Sequence, residues 1–141
     1  YCINTITKSM GAADFLLGVC ESWMTPALFL SVTFIAGSVI SFFTGSSWGT
    51  FAICIPIAVP MAYSFTGGQL GTLVYAAVGA VVSGGLFGDH CSPVSDTTVL
   101  SSLGAACDHI DHVRTQLPYA LLAAAVSIIL WIVVALVGGA A

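Results

Sequence analysis

Residues 70–98 read LGTLVYAAVGAVVSGGLFGDHCSPVSDTT, an apolar run without charge up to Asp89, followed by a short polar stretch with two aspartates and a proline. The run is apolar on every side, which fits neither an amphipathic surface helix nor a strand with alternating faces. Gly71, Gly79, Gly84 and Gly85 seam it with the small residues that let membrane helices approach closely. We read residues 70–86 as a membrane helix ending at Gly88. A break follows, then a short mixed helix from Val99 to about Ala106.

Outward from this stretch the charge pattern is the same. No Asp, Glu, Lys or Arg occurs in residues 22–88, and a second charge-free run covers residues 115–141. Overall 58% of the 141 residues are hydrophobic and 6% charged, against roughly 25% charged in an ordinary soluble domain. A hydrocarbon layer about 30 Å thick takes about 20 helical residues per crossing, so the first run holds two to three spans and the last holds one. Membrane β-barrel strands alternate apolar and polar residues, which these runs do not, and helices then remain as the way to satisfy the backbone in lipid. The expected fold is an all-α polytopic membrane protein with discontinuous transmembrane helices and no separate soluble domain.

Before Val19 the sequence suggests a helix end, a polar connection through Asn4, Thr5, Thr7, Lys8 and Ser9, and a short helix from Ala12. Glu21 and Trp23 mark an interface, where tryptophan tends to sit. An apolar span over residues 26–43 meets a break at residues 44–50, Thr-Gly-Ser-Ser-Trp-Gly-Thr, and a new apolar stretch runs from Phe51 past Pro56 and Pro60 to about Phe65. Gly67-Gly68-Gln69 reads as a turn. Residues 108–114 read as a wet connector and residues 117–137 as the final span. Two apolar segments therefore run into polar breaks and resume, and unwound backbone at membrane depth is tolerated where it lines a cavity or is buried in protein.

Composition excludes several classes. A net charge of -4 offers no basic face for nucleic acid. Cys2, Cys20, Cys54, Cys91 and Cys107 lack CxxC spacing, and they read as small packing residues rather than a disulfide frame or zinc site. Lys8 and Arg114 are too few to set orientation by the positive-inside rule.

The chemistry concentrates at Asp89 and Asp96. A carboxylate beside a long apolar segment costs several kcal/mol unless neutralised, hydrated or paired with a cation. An ionised Asp with hydroxyl and carbonyl oxygens offers hard oxygen ligands to Na+, and protonation removes the charge that holds the cation. Ser92, Ser95, Thr97 and Thr98 supply hydroxyls, and Pro93 stops the helix from continuing. Ser46, Ser47 and Thr50 of the first break are read as a second contribution to the same cavity. The plainer alternative has Ser95 or Asp96 capping the next helix while Asp89 faces an aqueous loop. His90, whose side-chain type changes charge near neutral pH, is read as a pH sensor or as a hydrogen-bonded structural residue. Asp108, His109, Asp111 and His112 share residue types with metal clusters but sit in the connector beside Arg114. No nucleophile elbow or HExxH helix points to an enzyme.

Gly45-Ser46-Ser47-Trp48-Gly49-Thr50, the stretch from Leu86 through Gly88-Asp89-His90-Cys91-Ser92-Pro93-Val94-Ser95-Asp96-Thr97-Thr98, and the run from Cys107-Asp108-His109 to Pro118-Tyr119-Ala120 together resemble the NhaC family of sodium/proton antiporters. The resemblance implies a chain of two inverted repeats whose broken helices meet at a central ion site. Residues 1–141 would then be the C-terminal transmembrane portion, one half of that transporter, with the N-terminal half as partner. It further implies a multi-pass protein of the bacterial inner membrane, surrounded by lipid, with Na+ and H+ as substrates and no cofactor; a homo-oligomer is left open. The family also holds exchangers that couple Na+ and H+ to malate and lactate, which makes carboxylate exchange the alternative. A structural or channel-like subunit is the reading of another class.

Overall fold

The computed structural model describes residues 24–138 continuously and, before them, Thr5, Ile6, residues 9–11, Phe15, Gly18 and Val19. Of the expected connection Thr5 and Ser9 are helical, as are Phe15, Gly18 and Val19 after the expected helix start; the rest of both, and the Glu21–Trp23 interface, lie outside the described residues. Within residues 24–138 lie five helices: α1 Pro26–Thr44, α2 Ser47–Phe65, α3 Thr72–Cys91, α4 Asp96–Gly104 and α5 His109–Gly138. No strand occurs among the described residues. Helices α2, α3 and α5 are long and apolar enough to cross a membrane, and α1 is apolar over Leu28–Thr44. The protein is an all-α membrane protein, as the charge-free runs imply.

Local chemistry sets the ends of these helices. A proline opens α1, where a missing N–H costs nothing and φ is already helical. Gly45 closes it in the left-handed region, φ 65°, with its N–H on the Ser41 carbonyl. Ser46 caps α2, its hydroxyl accepting from the Gly49 N–H at 3.4 Å. The first break is therefore shorter than the expected residues 44–50. It consists of Gly45 and Ser46, because a left-handed C-cap followed directly by a serine N-cap reverses the chain in two residues.

Helix α3 also continues beyond the expected end at Gly88, through Asp89 to Cys91, and stops at Ser92-Pro93. Glycine in a membrane helix need not end it where a partner backbone packs against it. Ser95 caps α4 and draws its start back from Val99 to Asp96; the helix ends at Gly104 rather than Ala106. Residues 108–114 are not a separate connector. Asp108 Oδ1 accepts from Ile110 N–H at 2.9 Å and Asp111 N–H at 3.2 Å, which launches α5 at His109. Pro118 lies inside that helix. The turn at Gly67-Gly68 is present, both residues having positive φ.

Helices α1 and α3 run parallel at close range. Gly37 lies on the Val81 carbonyl, Gly84 on the Phe34 carbonyl and Gly88 on the Ser38 carbonyl. Around this contact Phe29, Leu30, Phe34, Ala77, Ala80 and Val81 form the centre of the core. Helix α2 returns antiparallel, joined to α1 by the Phe29–Phe65 ring pair at 5.4 Å. Helix α5 packs antiparallel along the other side, Trp131 covering Gly79 and Ser31 Oγ reaching the Ile128 carbonyl at 3.5 Å. Because α1 and α3 point the same way, their C-terminal breaks meet at one end of the bundle.

Candidate functional site

The two breaks are in contact. A Cβ on Gly45 would lie 2.8 Å from the Val94 carbonyl, so glycine there serves both the left-handed turn and the close approach. Ser92, fully buried, donates its hydroxyl to the Phe42 carbonyl at 2.6 Å and accepts from the Val94 N–H at 3.2 Å. This serine fastens the second break to the end of α1.

Asp89 lies between the breaks, in the last turn of α3 and 8% exposed. Ser47, the first residue of α2, donates to Asp89 Oδ2 at 3.0 Å. Ser95, the cap of α4, donates to Asp89 Oδ1 at 2.7 Å. Each carboxylate oxygen is thus served by a hydroxyl at the far side of a different break, at the N-terminal ends of two helices where backbone dipoles favour negative charge. Ser95 also accepts from the Thr97 N–H at 3.2 Å and shares a 2.7 Å hydrogen bond with the Thr97 hydroxyl. Capping and carboxylate binding, weighed above as alternatives, are both carried out by Ser95.

The other expected residues are placed differently. Thr98 donates to the His90 carbonyl at 3.2 Å and the Asp89 carbonyl at 3.5 Å, closing the end of α3 rather than meeting the carboxylate. Ser46 is spent on capping, and Thr50, fully buried, donates to the Ser46 carbonyl at 3.0 Å. Asp96 is exposed in the first turn of α4, and its carboxylate makes no hydrogen bond to the described residues. His90 is exposed, and its Nε2 lies 2.5 Å from Gln116 Nε2. A cleft of about 430 Å³ opens here, lined by Leu86, Phe87, Asp89, His90 and Thr97.

Sequence reasoning named His109 only within the metal-like group of the connector, and it missed Gln116. His109 Nε2 donates to the Pro93 carbonyl at 2.7 Å, and its Nδ1 lies 3.2 Å from Ser102 Oγ. Gln116 Nε2 also reaches the His90 carbonyl at 3.1 Å. The signal was available, since positions 109, 112 and 116 share one face of a helix; it was hidden by taking that stretch for a connector. Cys54, Cys91 and Cys107 are free thiols.

Helix ends gathered around a buried carboxylate, in a protein built of membrane-length helices, are the arrangement found in membrane proteins that carry ionisable groups within the bilayer. The chain belongs to the Na+/H+ antiporter family, whose profile matches residues 1–136. Among relatives, it is 38% identical over 92% of its length to the malate-2H+/Na+-lactate antiporter of Bacillus subtilis, covering 26% of that protein. It is 32% identical over 89% of its length to the arginine/ornithine antiporter ArcD of Halobacterium salinarum, covering 25%. It is 32% identical over 88% of its length to the Na+/H+ antiporter NhaC of Alkalihalophilus pseudofirmus, covering 26%. The chain therefore spans about a quarter of the length of these relatives. No solved structure matches it.

Proposed function

We propose that this chain supplies the carboxylate half of the ion site in a longer antiporter of the bacterial cell membrane that exchanges Na+ for H+. Asp89 is the shared group: ionised, it holds Na+ together with hydroxyl oxygens, and protonated, it releases the cation. Exchange follows when only the loaded forms switch sides. The observation that supports this reading is the Asp89 carboxylate, buried at the junction of two breaks with hydroxyls from both on its oxygens. Ser92 and Thr98 shape the break, and Asp96, exposed on α4, belongs to the site through groups outside the described residues. His90 at the mouth of the cleft remains the proposed pH-sensing residue.

The name of the Bacillus subtilis relative supports a second reading, Na+- and H+-coupled carboxylate exchange. An organic anion needs a cationic or N–H-rich cradle, and among the described residues Arg114 is the basic side chain. It is 76% exposed and 3.9 Å from Asp111, and it does not line the Asp89 cleft. The described residues thus bring no Lys or Arg side chain to the cleft, and a cradle for an organic anion there would rest on the N-termini of α2 and α4.

The test uses the intact parent protein in everted vesicles from antiporter-deficient cells, recording collapse of a respiration-driven pH gradient on Na+ addition. Wild type collapses the gradient, Asp89→Asn does not at matched expression, and Asp96→Asn is less impaired. A response that requires malate or lactate establishes the second reading, and no response to Na+ or carboxylate ends both.

A further inference from the structure

The two oxygens of Asp89 are not equivalent. A serine hydroxyl has one hydrogen and two lone pairs, and an ionised carboxylate only accepts. Ser95 gives its hydrogen to Asp89 Oδ1, so in the 2.7 Å contact between Ser95 and Thr97 the Thr97 hydroxyl is the donor. Its second lone pair takes the Thr97 N–H. Ser95 is thus saturated, with no lone pair left for a cation. Ser47, on Oδ2, makes one hydrogen bond, to that oxygen, and keeps both lone pairs. Thr97 itself is exposed and lines the cleft beside Asp89 and His90.

We propose that Thr97 and Ser95 form a proton path from the cleft to Asp89 Oδ1, while Oδ2 and Ser47 form the cation side of the same carboxylate. The proposal rests on the antiport reading above. A hydrated proton in the cleft binds Thr97 Oγ1; Thr97 passes its own hydrogen to Ser95 Oγ, and Ser95 passes its hydrogen to Asp89 Oδ1. Each hydroxyl gains one hydrogen and loses one, so the net change is one proton moved from water to the carboxylate. Afterwards the protonated Asp89 donates to Ser95 and Ser95 donates to Thr97, and Ser95 is again fully bonded. Rotation of the hydroxyls in the deprotonated state restores the starting order. The chain has the same heavy-atom contacts before and after transfer, and it delivers protons without passing through the cation's ligands.

Two exchange modes of the intact parent protein in vesicles separate proton delivery from cation binding. Na+/H+ exchange needs both, and exchange of radioactive Na+ for unlabelled Na+ needs no proton transfer. Replacing Thr97 with Val, which keeps the shape and removes the hydroxyl, is expected to slow Na+/H+ exchange about tenfold or more, with a much smaller effect on Na+/Na+ exchange. Thr97→Ser restores the first mode. Equal loss of both modes in Thr97→Val and Thr97→Ala, or no loss in either, overturns the proton path while wild-type antiport stands. A wild type without any Na+-dependent exchange overturns the antiport reading and the path together.

Discussion

Ser41 donates its hydroxyl to the Gly85 carbonyl across 2.6 Å, joining α1 to α3 one helical turn before Asp89. Both groups are buried in the seam between the helices. Gly85 O is the carbonyl that the Asp89 N–H faces in a regular helix, so the bond fixes the turn that carries the carboxylate. Interhelical hydrogen bonds in membrane proteins are worth about 0.6 kcal/mol on average and seldom more than about 2. Ser41→Ala is expected to lower stability by about 1 kcal/mol, read as a reduced thermal denaturation midpoint of the detergent-solubilised parent protein. An unchanged midpoint would show that the seam does not depend on this bond.

Gly88 and Gly104 give opposite outcomes for one substitution. Alanine is favoured over glycine within a helix by about 1 kcal/mol when nothing intervenes. At Gly104 a Cβ would meet no atom within 4 Å, so Gly104→Ala is expected to be neutral or stabilising. At Gly88 the Cβ would strike the Ser38 carbonyl and lie 2.8 Å from the Phe42 N, backbone that cannot rotate aside. Gly88→Ala forces α1 and α3 apart next to Asp89 and is expected to destabilise the protein and abolish exchange. Thermal denaturation and vesicle transport on the two variants decide it; matching behaviour would show that the close crossing does not constrain the site.

Much of this architecture is legible in the sequence because it depends on what water cannot solvate. The charge-free runs bound the number of spanning helices and fix their type, Gly67-Gly68 marks one reversal, and Pro93 marks the break after α3. The helix ends were misplaced where a single side chain outweighed composition. Ser46, Ser95 and Asp108 each draw a helix start into a segment rich in residues of low helix propensity. The pairing of Ser47 with Asp89 across 42 residues depends on α1 and α3 being parallel, which the periodicity of either helix alone does not reveal. Asp89 and Asp96 look equivalent as sequence, flanking one break. One faces the packed junction and the other the surface, because the cap at Ser95 turns the chain between them.

Ser47 is the hydroxyl with lone pairs to spare at the carboxylate, and removing it should weaken cation binding more than it slows turnover. Ser47→Ala deletes the donor to Asp89 Oδ2 and a ligand oxygen together, a loss of about 1 kcal/mol. The half-saturating Na+ concentration is expected to rise about fivefold. The maximal rate should stay within about twofold, since Ser47 makes no contact in the hydroxyl chain on Oδ1. Initial rates across a Na+ series in vesicles give both quantities. A variant that loses maximal rate at unchanged half-saturation would remove Ser47 from the cation side.

His109 tests whether the second break is held from outside. A carbonyl cannot donate, so the 2.7 Å contact with Pro93 O places a hydrogen on His109 Nε2. With the hydrogen on Nε2, Nδ1 of the neutral ring is an acceptor, so its 3.2 Å contact with Ser102 Oγ is a hydrogen bond when the Ser102 hydroxyl turns to the ring from the Val99 carbonyl 2.8 Å away. The ring thereby ties the start of α5 to the break and to α4 without touching Asp89. His109→Ala removes the tie, a loss of about 1 kcal/mol that should speed local opening about fivefold. The expected readout is faster amide hydrogen exchange over residues 92–98, where Val94 and Thr97 N–H groups bond to the Ser92 and Ser95 hydroxyls. His109→Gln keeps a donor on the side chain and should recover part of the protection, whereas residues 28–34 in the buried seam of α1 should exchange as in wild type. Equal acceleration everywhere would make His109 a residue of global stability, and no acceleration at residues 92–98 would show that the break is held by Ser92 and Ser95 without it.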